Sequence, residues 1–413
     1  MEAEFDFPGQ GGLTDRFSFD TIAPQQAKLA SKVGLYDLEG KSADVLKRLG
    51  VNYKPVRFDA DLDGVELLVL GRNALKGFPL HLSKRLSDGL KFFVFEQPFE
   101  EFERLGLRGT EQGYREVFSA AADFPDLHDW RGSATQLPGA FQVAPYEATN
   151  PKWSWCGFDN TRVWRAGNRG SITEVLLEKP PMGNWNPLLQ CGFDLQYTPL
   201  AEFVEGRGRI TFCQLAATGR TEAEPEADEL VRRSLERLDR APVPQYRKVF
   251  YAGAEEGAKL LDSLKIPHQA YAGTLPPDSL LVLGPGAKAG DLKSAVEAGA
   301  NVLALGLGKA DLDAILPGAF QLTPGEYASD FVDDLKKNPE FAGIGNAELH
   351  WRGMAAFDAF DAKSPGGRTL GVARIGKGVF VADQLPPWKF DAKEFYNRTT
   401  LRRAAFRGSR LLA

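Results

Sequence analysis

The sequence of 413 residues predicts an α/β fold, two tandem three-layer domains each built on a parallel sheet. Three observations carry this prediction. Asp129-Trp130-Arg131-Gly132 in the first half is answered by His350-Trp351-Arg352-Gly353 in the second, with further matches on both sides in the same order. The apolar runs Leu67-Leu68-Val69-Leu70-Gly71 and Leu280-Leu281-Val282-Leu283-Gly284 are identical in type and read as buried parallel strands entering a turn. Around them, short strands and helices alternate with short connections, the pattern of a parallel sheet covered on both faces. The length agrees, because a chain of this size exceeds one ordinary hydrophobic core and suits two domains of about 150 to 200 residues.

Taken in order, residues 1–30, with Phe5, Phe7, Phe17 and Phe19 separated by polar or glycine positions, read as an N-terminal arm or linker on a chain cut from something longer. The first domain, 31–240, is expected to run strand 33–36, helix 42–49, strand 53–58, strand 67–70, helix 80–89 and strand 91–95. A proline-stiffened linker at 239–244 places the boundary near residue 240. The second domain, 245–413, repeats the pattern more tersely: strand 248–251, helix 255–264, strands 269–272 and 280–283, helix 292–298 and strand 301–305. Gly206-Arg207-Gly208 and Gly376-Lys377-Gly378 each lie between two strands, the second of which ends at Gln214-Leu215 or Gln384-Leu385. Both read as hairpin turns; with no helix behind them, they do not form a phosphate loop. Each copy closes on an Arg-rich helix with leucines at helical spacing, 226–238 and 399–412. The first copy is longer, chiefly over about 138–200, where Trp153, Trp155, Trp164 and Trp185 crowd with Arg162, Arg165, Asn168, Arg169, Asn184 and Asn186. Such an excursion is where function specific to one half is expected.

Composition narrows the partners. A formal net charge of −5 with scattered basic residues offers no electrostatic footprint for nucleic acid or an anionic membrane. Cys156, Cys191 and Cys213 lack any CxxC spacing and only four histidines accompany them, which argues against a zinc cluster and a disulfide framework and for free buried thiols. No cofactor and no metal are implied. No apolar stretch approaches the roughly 20 residues that span a bilayer. The acidic, glycine-containing start is not a secretory signal. Location stays open, an exported parent protein being compatible with a fragment that lacks its signal.

Parallel α/β sheets place ligands at the carboxyl ends of their strands. There the first copy delivers Glu96-Gln97-Pro98 and the second Gly306-Leu307-Gly308, so neither offers a thiol nucleophile. His128 and His350 accompany the Trp-Arg-Gly marker and are expected to hold a loop by hydrogen bonds. Cys213 aligns with Asp383 on a buried strand, where packing is the expected role. For glycosidase chemistry, a carboxylate pair roughly 5 to 9.5 Å apart is required, and Glu96, Asp159, Glu174, Glu178 and Asp194 supply candidates, with Glu96, Glu174 and Glu178 foremost. The binding candidates are Trp153, Trp155, Trp164, Arg165, Asn168, Arg169 and Trp185, because sugars present apolar faces to aromatic rings and hydroxyls to polar side chains. The same composition also suits a protein interface or a plug that packs the excursion onto its own sheet.

The run Val163-Trp164-Arg165-Ala166-Gly167-Asn168-Arg169-Gly170, followed by 175–180, 191–200 and 208–221, resembles a region of large bacterial β-galactosidase-like glycoside hydrolases, especially those of planctomycete-type bacteria. The similarity extends through Trp388 and Asn397-Arg398-Thr399-Thr400. The strand order resembles class I glutamine amidotransferase-like, flavodoxin-like domains, whose active members place a cysteine in the turn that Glu96 and Gly306 occupy here. The resemblance implies an accessory tandem without catalysis of its own, comparable to the trimer-forming middle domain of family 42 β-galactosidases. Its implied partners are other modules of a glycoside hydrolase or further copies of the chain, with carbohydrate contact. A self-sufficient carbohydrate hydrolase and a stand-alone carbohydrate-binding module are the alternatives.

Overall fold

A computed structural model describes residues 2–7, 11–16, 22–57, 59–77, 82–128, 130, 154–155, 158–159, 172–180, 183–218, 224–329, 331–333, 335–395 and 397–413. The chain is mixed α/β, and its two large sheets are parallel at their centres. It opens on an antiparallel hairpin of β1 (Glu2–Phe7) and β2 (Gly11–Arg16), with Glu2 opposite Arg16 and Phe7 opposite Gly11. The arm expected for 1–30 therefore contains paired strands. Ala3, Phe5 and Phe7 alternate with Glu2, Glu4 and Asp6, which is the period of a strand.

The first unit continues with β3 (Val33–Tyr36), α1 (Lys41–Arg48), β4 (Tyr53–Pro55), β5 (Leu67–Leu70), α2 (Leu82–Ser87), β6 (Lys91–Val94) and α3 (Phe99–Arg104). Next come β7 (Gly109–Tyr114), β8 (Glu116–Ser119), β9 (Leu127–His128), β10 (Ser154–Trp155), β11 (Phe158–Asp159), β12 (Thr173–Glu178) and β13 (Trp185–Cys191). The unit closes with β14 (Tyr197–Glu205), β15 (Gly208–Cys213) and α4 (Pro225–Arg240). Its main sheet runs β4-β3-β5-β6-β15-β14-β13-β8-β9, with β12 bridging β14 and β7. The portion from β4 to β15 is parallel and the rest antiparallel. That antiparallel extension starts at β7, well before the expected excursion at 138–200. Strand β4 stops at Pro55, short of the expected 53–58, on a sheet edge where proline is tolerated but cannot donate to a ladder.

The second unit comprises β16 (Val249–Ala252), α5 (Glu255–Ser263), β17 (Gln269–Ala270), β18 (Leu280–Leu283), α6 (Lys293–Ala298), β19 (Asn301–Leu305) and α7 (Lys309–Ile315). The hairpin of β20 (Thr323–Tyr327) and β21 (Ala355–Ala359) follows, then β22 (Leu370–Ile375), β23 (Gly378–Asp383) and α8 (Asn397–Leu412). Its sheet order is β17-β16-β18-β19-β23-β22, parallel except for β22. With β15 matched to β23 and β14 to β22, the two central sheets have the same order.

Both sheets bury both faces. Leu67, Val69, Phe93 and Phe95 pack with α1 and α4 on one side of the first sheet, while Leu68, Leu70, Phe92 and Val94 pack with Leu86 of α2 and Phe102 of α3 on the other. Leu281, Leu283, Val302 and Ala304 face one core of the second unit, and Val282, Leu303 and Leu305 face another. This two-sided burial explains why the strands read as unbroken apolar runs.

The duplication extends to single hydrogen bonds at the hairpins. Gly206 and Gly376 both have φ +58°. The following N–H groups, of Arg207 and Lys377, reach the carbonyls of Ser87 and Glu297 at 2.9 and 3.1 Å. A Cβ on either glycine would lie within 2.7 Å of that neighbouring backbone, so the Gly-basic-Gly turn is required by close approach to the end of a helix as well as by its conformation.

Candidate functional site

The strand ends of the first unit converge on Glu96. After β5 the chain turns through Gly71, Arg72 and Asn73, closed by a bond from Ala74 N–H to the Gly71 carbonyl (3.2 Å), with Asn73 in the left-handed region at φ +54°. Asparagine tolerates that conformation better than most side chains. The second unit makes the same turn with Gly286 at φ +74°, closed by Ala287 N–H on Gly284. Asn73 donates its backbone N–H to the Glu96 carbonyl (3.0 Å) and its side-chain amide to Glu39 (2.7 Å), a bond that holds the Glu39 carboxyl below its ordinary range. The Arg72 N–H donates to buried Ser42 Oγ, and its guanidinium reaches Thr218 Oγ1 at 3.4 Å.

Glu96 Oε1 accepts from both the N–H and the hydroxyl of Thr218, each at 2.8 Å. Its Oε2 is buried and has no partner among the described residues. Burial pushes the Glu96 carboxyl above its usual range, against the opposing pull of the Thr218 bonds and the Arg72 charge. Gln97 beside it is fully engaged. Its amide nitrogen donates to the Gly71 and Phe95 carbonyls, its amide oxygen accepts from Leu75 N–H, and its backbone N–H donates to Gln214 Oε1 at 3.0 Å. The Gln214 Nε2 is buried and unpartnered among the described residues. Cys213 lies in this neighbourhood, its thiol pushed far up by burial and then by the nearby Glu96 carboxyl. Cys191 is pushed up to about 12 by burial. Neither thiol is poised as a nucleophile.

The matching end of the second unit is closed. Gly306 has φ +68°, its N–H donates to the Asp383 carbonyl (2.7 Å), and a Cβ there would meet Pro386 at 3.0 Å. Asp383, which aligns with Cys213, is buried and paired with Arg407 of α8 at 2.9 and 3.1 Å. Gln384 Nε2, like Gln214 Nε2, is buried without a partner among the described residues.

Of the foremost carboxylates, Glu96 alone sits at this strand end. Glu174 and Glu178 share β12, four positions and roughly 13 Å of strand apart. Glu178 is taken up by Arg108 at 3.2 Å and by Arg402 of α8 at 3.0 Å; Glu174 is half-buried. Trp185, expected as a sugar platform, is only 3% exposed and stacks on Phe212 at 5.5 Å and against Phe203 at 4.8 Å. It is a core residue with no free face. Trp153, Trp164, Arg162, Arg165, Asn168 and Arg169 lie outside the described residues, and for Trp155 and Asp159 only the strand backbone of β10 and β11 is described.

Several polar residues of the excursion instead meet the second unit. Lys179 and Glu348 form a buried ion pair at 2.5 Å, with Lys179 also on Gln190 (3.2 Å) and over the Phe406 ring (5.5 Å). Asp194 pairs with Arg403, and Gln196 accepts from Arg402. Arg410 binds the Gly183 and Trp185 carbonyls and Asn186 in the first unit and the Ala342 carbonyl in the second; burial lowers its guanidinium to about 10. His350 shares a 2.8 Å hydrogen bond with Ser329, and its carbonyl accepts from Arg403, so it braces a loop at this seam.

Sequence reasoning missed Arg72, Gln97, Gln214 and Thr218, although the repeated Gln-Leu at 214–215 and 384–385 was the signal for the third. Among the described residues no three His, Cys, Asp or Glu side chains converge to hold a metal ion, and no helix is long and apolar enough to cross a membrane. No protein-family model matches the chain, and no curated protein matches it.

Proposed function

We propose that the chain is a non-catalytic tandem of class I amidotransferase-like, flavodoxin-like α/β units. In this reading it serves as a structural region of a β-galactosidase-like glycoside hydrolase and acts in assembly or carbohydrate contact. The supporting order is strand two, one, three, four and then a fifth parallel strand in both sheets, which is the flavodoxin order. The single observation that carries a scaffolding role is the seam. Helix α8 sends Arg402, Arg403 and Arg410 into the antiparallel extension of the first unit, next to the buried Lys179–Glu348 pair. Glu178, Lys179, Asn186, Asp194 and Gln196 of that extension are engaged there in joining the units. Glu96 and Gly306 occupy the two places where an amidotransferase nucleophile would stand, and neither supplies a thiolate.

An autonomous hydrolase is favoured by one feature, the raised carboxyl of Glu96, which is what a general acid needs. The two readings separate on a panel of aryl glycosides that includes the β-galactoside, assayed with the purified chain and its Glu96→Gln, Glu174→Gln and Glu178→Gln variants. Silence across the panel is expected. Turnover abolished by one of the substitutions would replace the scaffold with an enzyme.

A further inference from the structure

We propose that the open edge of β22 pairs with β22 of a second copy of the chain, antiparallel about a two-fold axis at Ala373. The inference deepens the assembly role proposed above and rests on that reading. Its basis is a difference between the duplicated sheets. In the first unit β14 is paired on both sides, by β15 and by β13. Its counterpart β22 pairs with β23 alone and ends the second sheet. The hairpin fixes which backbone groups face outward. Ile375 opposes Gly378 across a two-residue turn, so Gly371, Ala373 and Ile375 exchange hydrogen bonds with β23, while Leu370, Val372 and Arg374 point theirs away from it. The outward N–H of Leu370 is taken by the Gly366 carbonyl at 3.1 Å. Val204 of β14, which stands where Arg374 stands in β22, donates to the Asn184 carbonyl at 3.0 Å, and its own carbonyl accepts from the Asn184 side chain at 3.2 Å. Among the described residues, no backbone or side-chain group answers the outward groups of Val372 and Arg374 in this way. Nor is the edge blunted as others are: β4 ends in Pro55 and β17 is only two residues long.

That the missing strand is a second β22 follows from self-complementarity. With Ala373 opposite itself, the outward groups of Val372 meet those of Arg374 on the copy, and the same exchange repeats across the axis. On one face Ala373 lies against Ala373, small enough for the close approach of a non-hydrogen-bonded pair. Ile375 lies across from Gly371, where the Phe360 ring fills the place of a side chain. Ala373 and Ile375 are half-buried in the single chain and sit beside an apolar core that the added strand would extend. On the other face Arg374 is the charge that would hold two like edges apart, and Glu340 neutralises it through bonds of 2.7 and 2.5 Å. The contact is short, so the expected association is weak, with a dissociation constant in the micromolar range.

The test begins with sedimentation velocity of the full chain from about 1 to about 300 µM, which should show a monomer–dimer equilibrium. Val372→Pro removes an outward N–H and no bond to β23, so it should weaken association at least about tenfold while circular dichroism stays that of the parent. Ala373→Cys gives a reading without a backbone change. Opposed Cα atoms about 4.5 Å apart suit a disulfide, so mild oxidation should yield a covalent dimer, with the parent oxidised alongside to set the background of its own thiols. Arg374→Cys, more exposed but opposed to Val372, should cross-link at least about tenfold more slowly. A chain that stays monomeric to about 300 µM, an equilibrium that Val372→Pro leaves unchanged, or equal cross-linking at the two positions would each overturn the proposal. Turnover of aryl glycosides would instead remove the scaffold reading and leave this edge contact standing, so the two failures are distinguishable.

Discussion

Replacing Lys179 with methionine removes the charge at the centre of the seam while keeping an unbranched stem against Phe406. At 2.5 Å, and with an effective dielectric of about 20, the attraction between Lys179 and Glu348 is roughly 6–7 kcal/mol, most of it offset by the desolvation of both groups. The large consequence is the carboxylate left behind. Glu348 is buried at 2% exposure and, among the described residues, keeps the Gly345 N–H at 2.8 Å on its second oxygen. Breaking such a pair from one side costs about 3–5 kcal/mol. Adding Glu348→Gln neutralises the stranded charge while keeping an acceptor for Gly345, so the double variant should recover most of the loss. Urea unfolding followed by both tryptophan fluorescence and circular dichroism measures the cycle and shows whether the units unfold together. A Lys179→Met chain within about 0.5 kcal/mol of the parent, or a double variant no better than the single, would refute the argument, because surface pairs behave that way.

Other expectations follow from the same geometry. Gly206→Ala and Gly376→Ala should each destabilise by about 1–3 kcal/mol in thermal unfolding, from positive φ and backbone contact, whereas Gly353→Ala, with open space around it, should cost less. Glu96→Gln should gain stability relative to the parent as pH rises. The raised folded-state carboxyl favours folding when protonated, and that contribution is present below its ordinary value of 4.5 and lost as pH climbs through the raised one. A melting-temperature difference that stays flat from pH 4.5 to about 8 would contradict the burial argument. Trp185→Ala should cost about 3–5 kcal/mol as a core truncation, read by urea unfolding. Cys191 and Cys213 should resist alkylation at pH about 8 in the native chain and react once it is unfolded, as followed peptide by peptide by mass spectrometry.

Much of the central architecture was legible because it obeys simple periods. Strands β5 and β18 are unbroken apolar runs, β19 is one after its leading Asn301, and the limits of all three were readable to the residue. The Gly-basic-Gly hairpins and the two Arg-rich helices were recognised for the same local reasons. The antiparallel extension was harder. Its strands β7 and β8 carry few buried positions, and their pairing with β12 and β13 is set by tertiary contact. At the candidate site, Glu96 was found from its place after a strand. Thr218, Arg72 and Gln214 come from other strand ends, and no local spacing announces that the fold brings them together. Trp185 and Glu178 show the converse, because aromatic and charged residues have the same composition whether they meet a sugar, a core or a neighbouring helix.

The central claim, that the seam makes the two units one body, is tested most directly by cutting the chain between them. Residues 241–248 form neither helix nor strand and are largely exposed, so a site-specific protease sequence can be placed there. After cleavage, the two pieces should co-elute in size-exclusion chromatography as a single particle of the parent size, and should separate once Lys179→Met is introduced. Pieces that part in the otherwise unaltered chain would contradict the account.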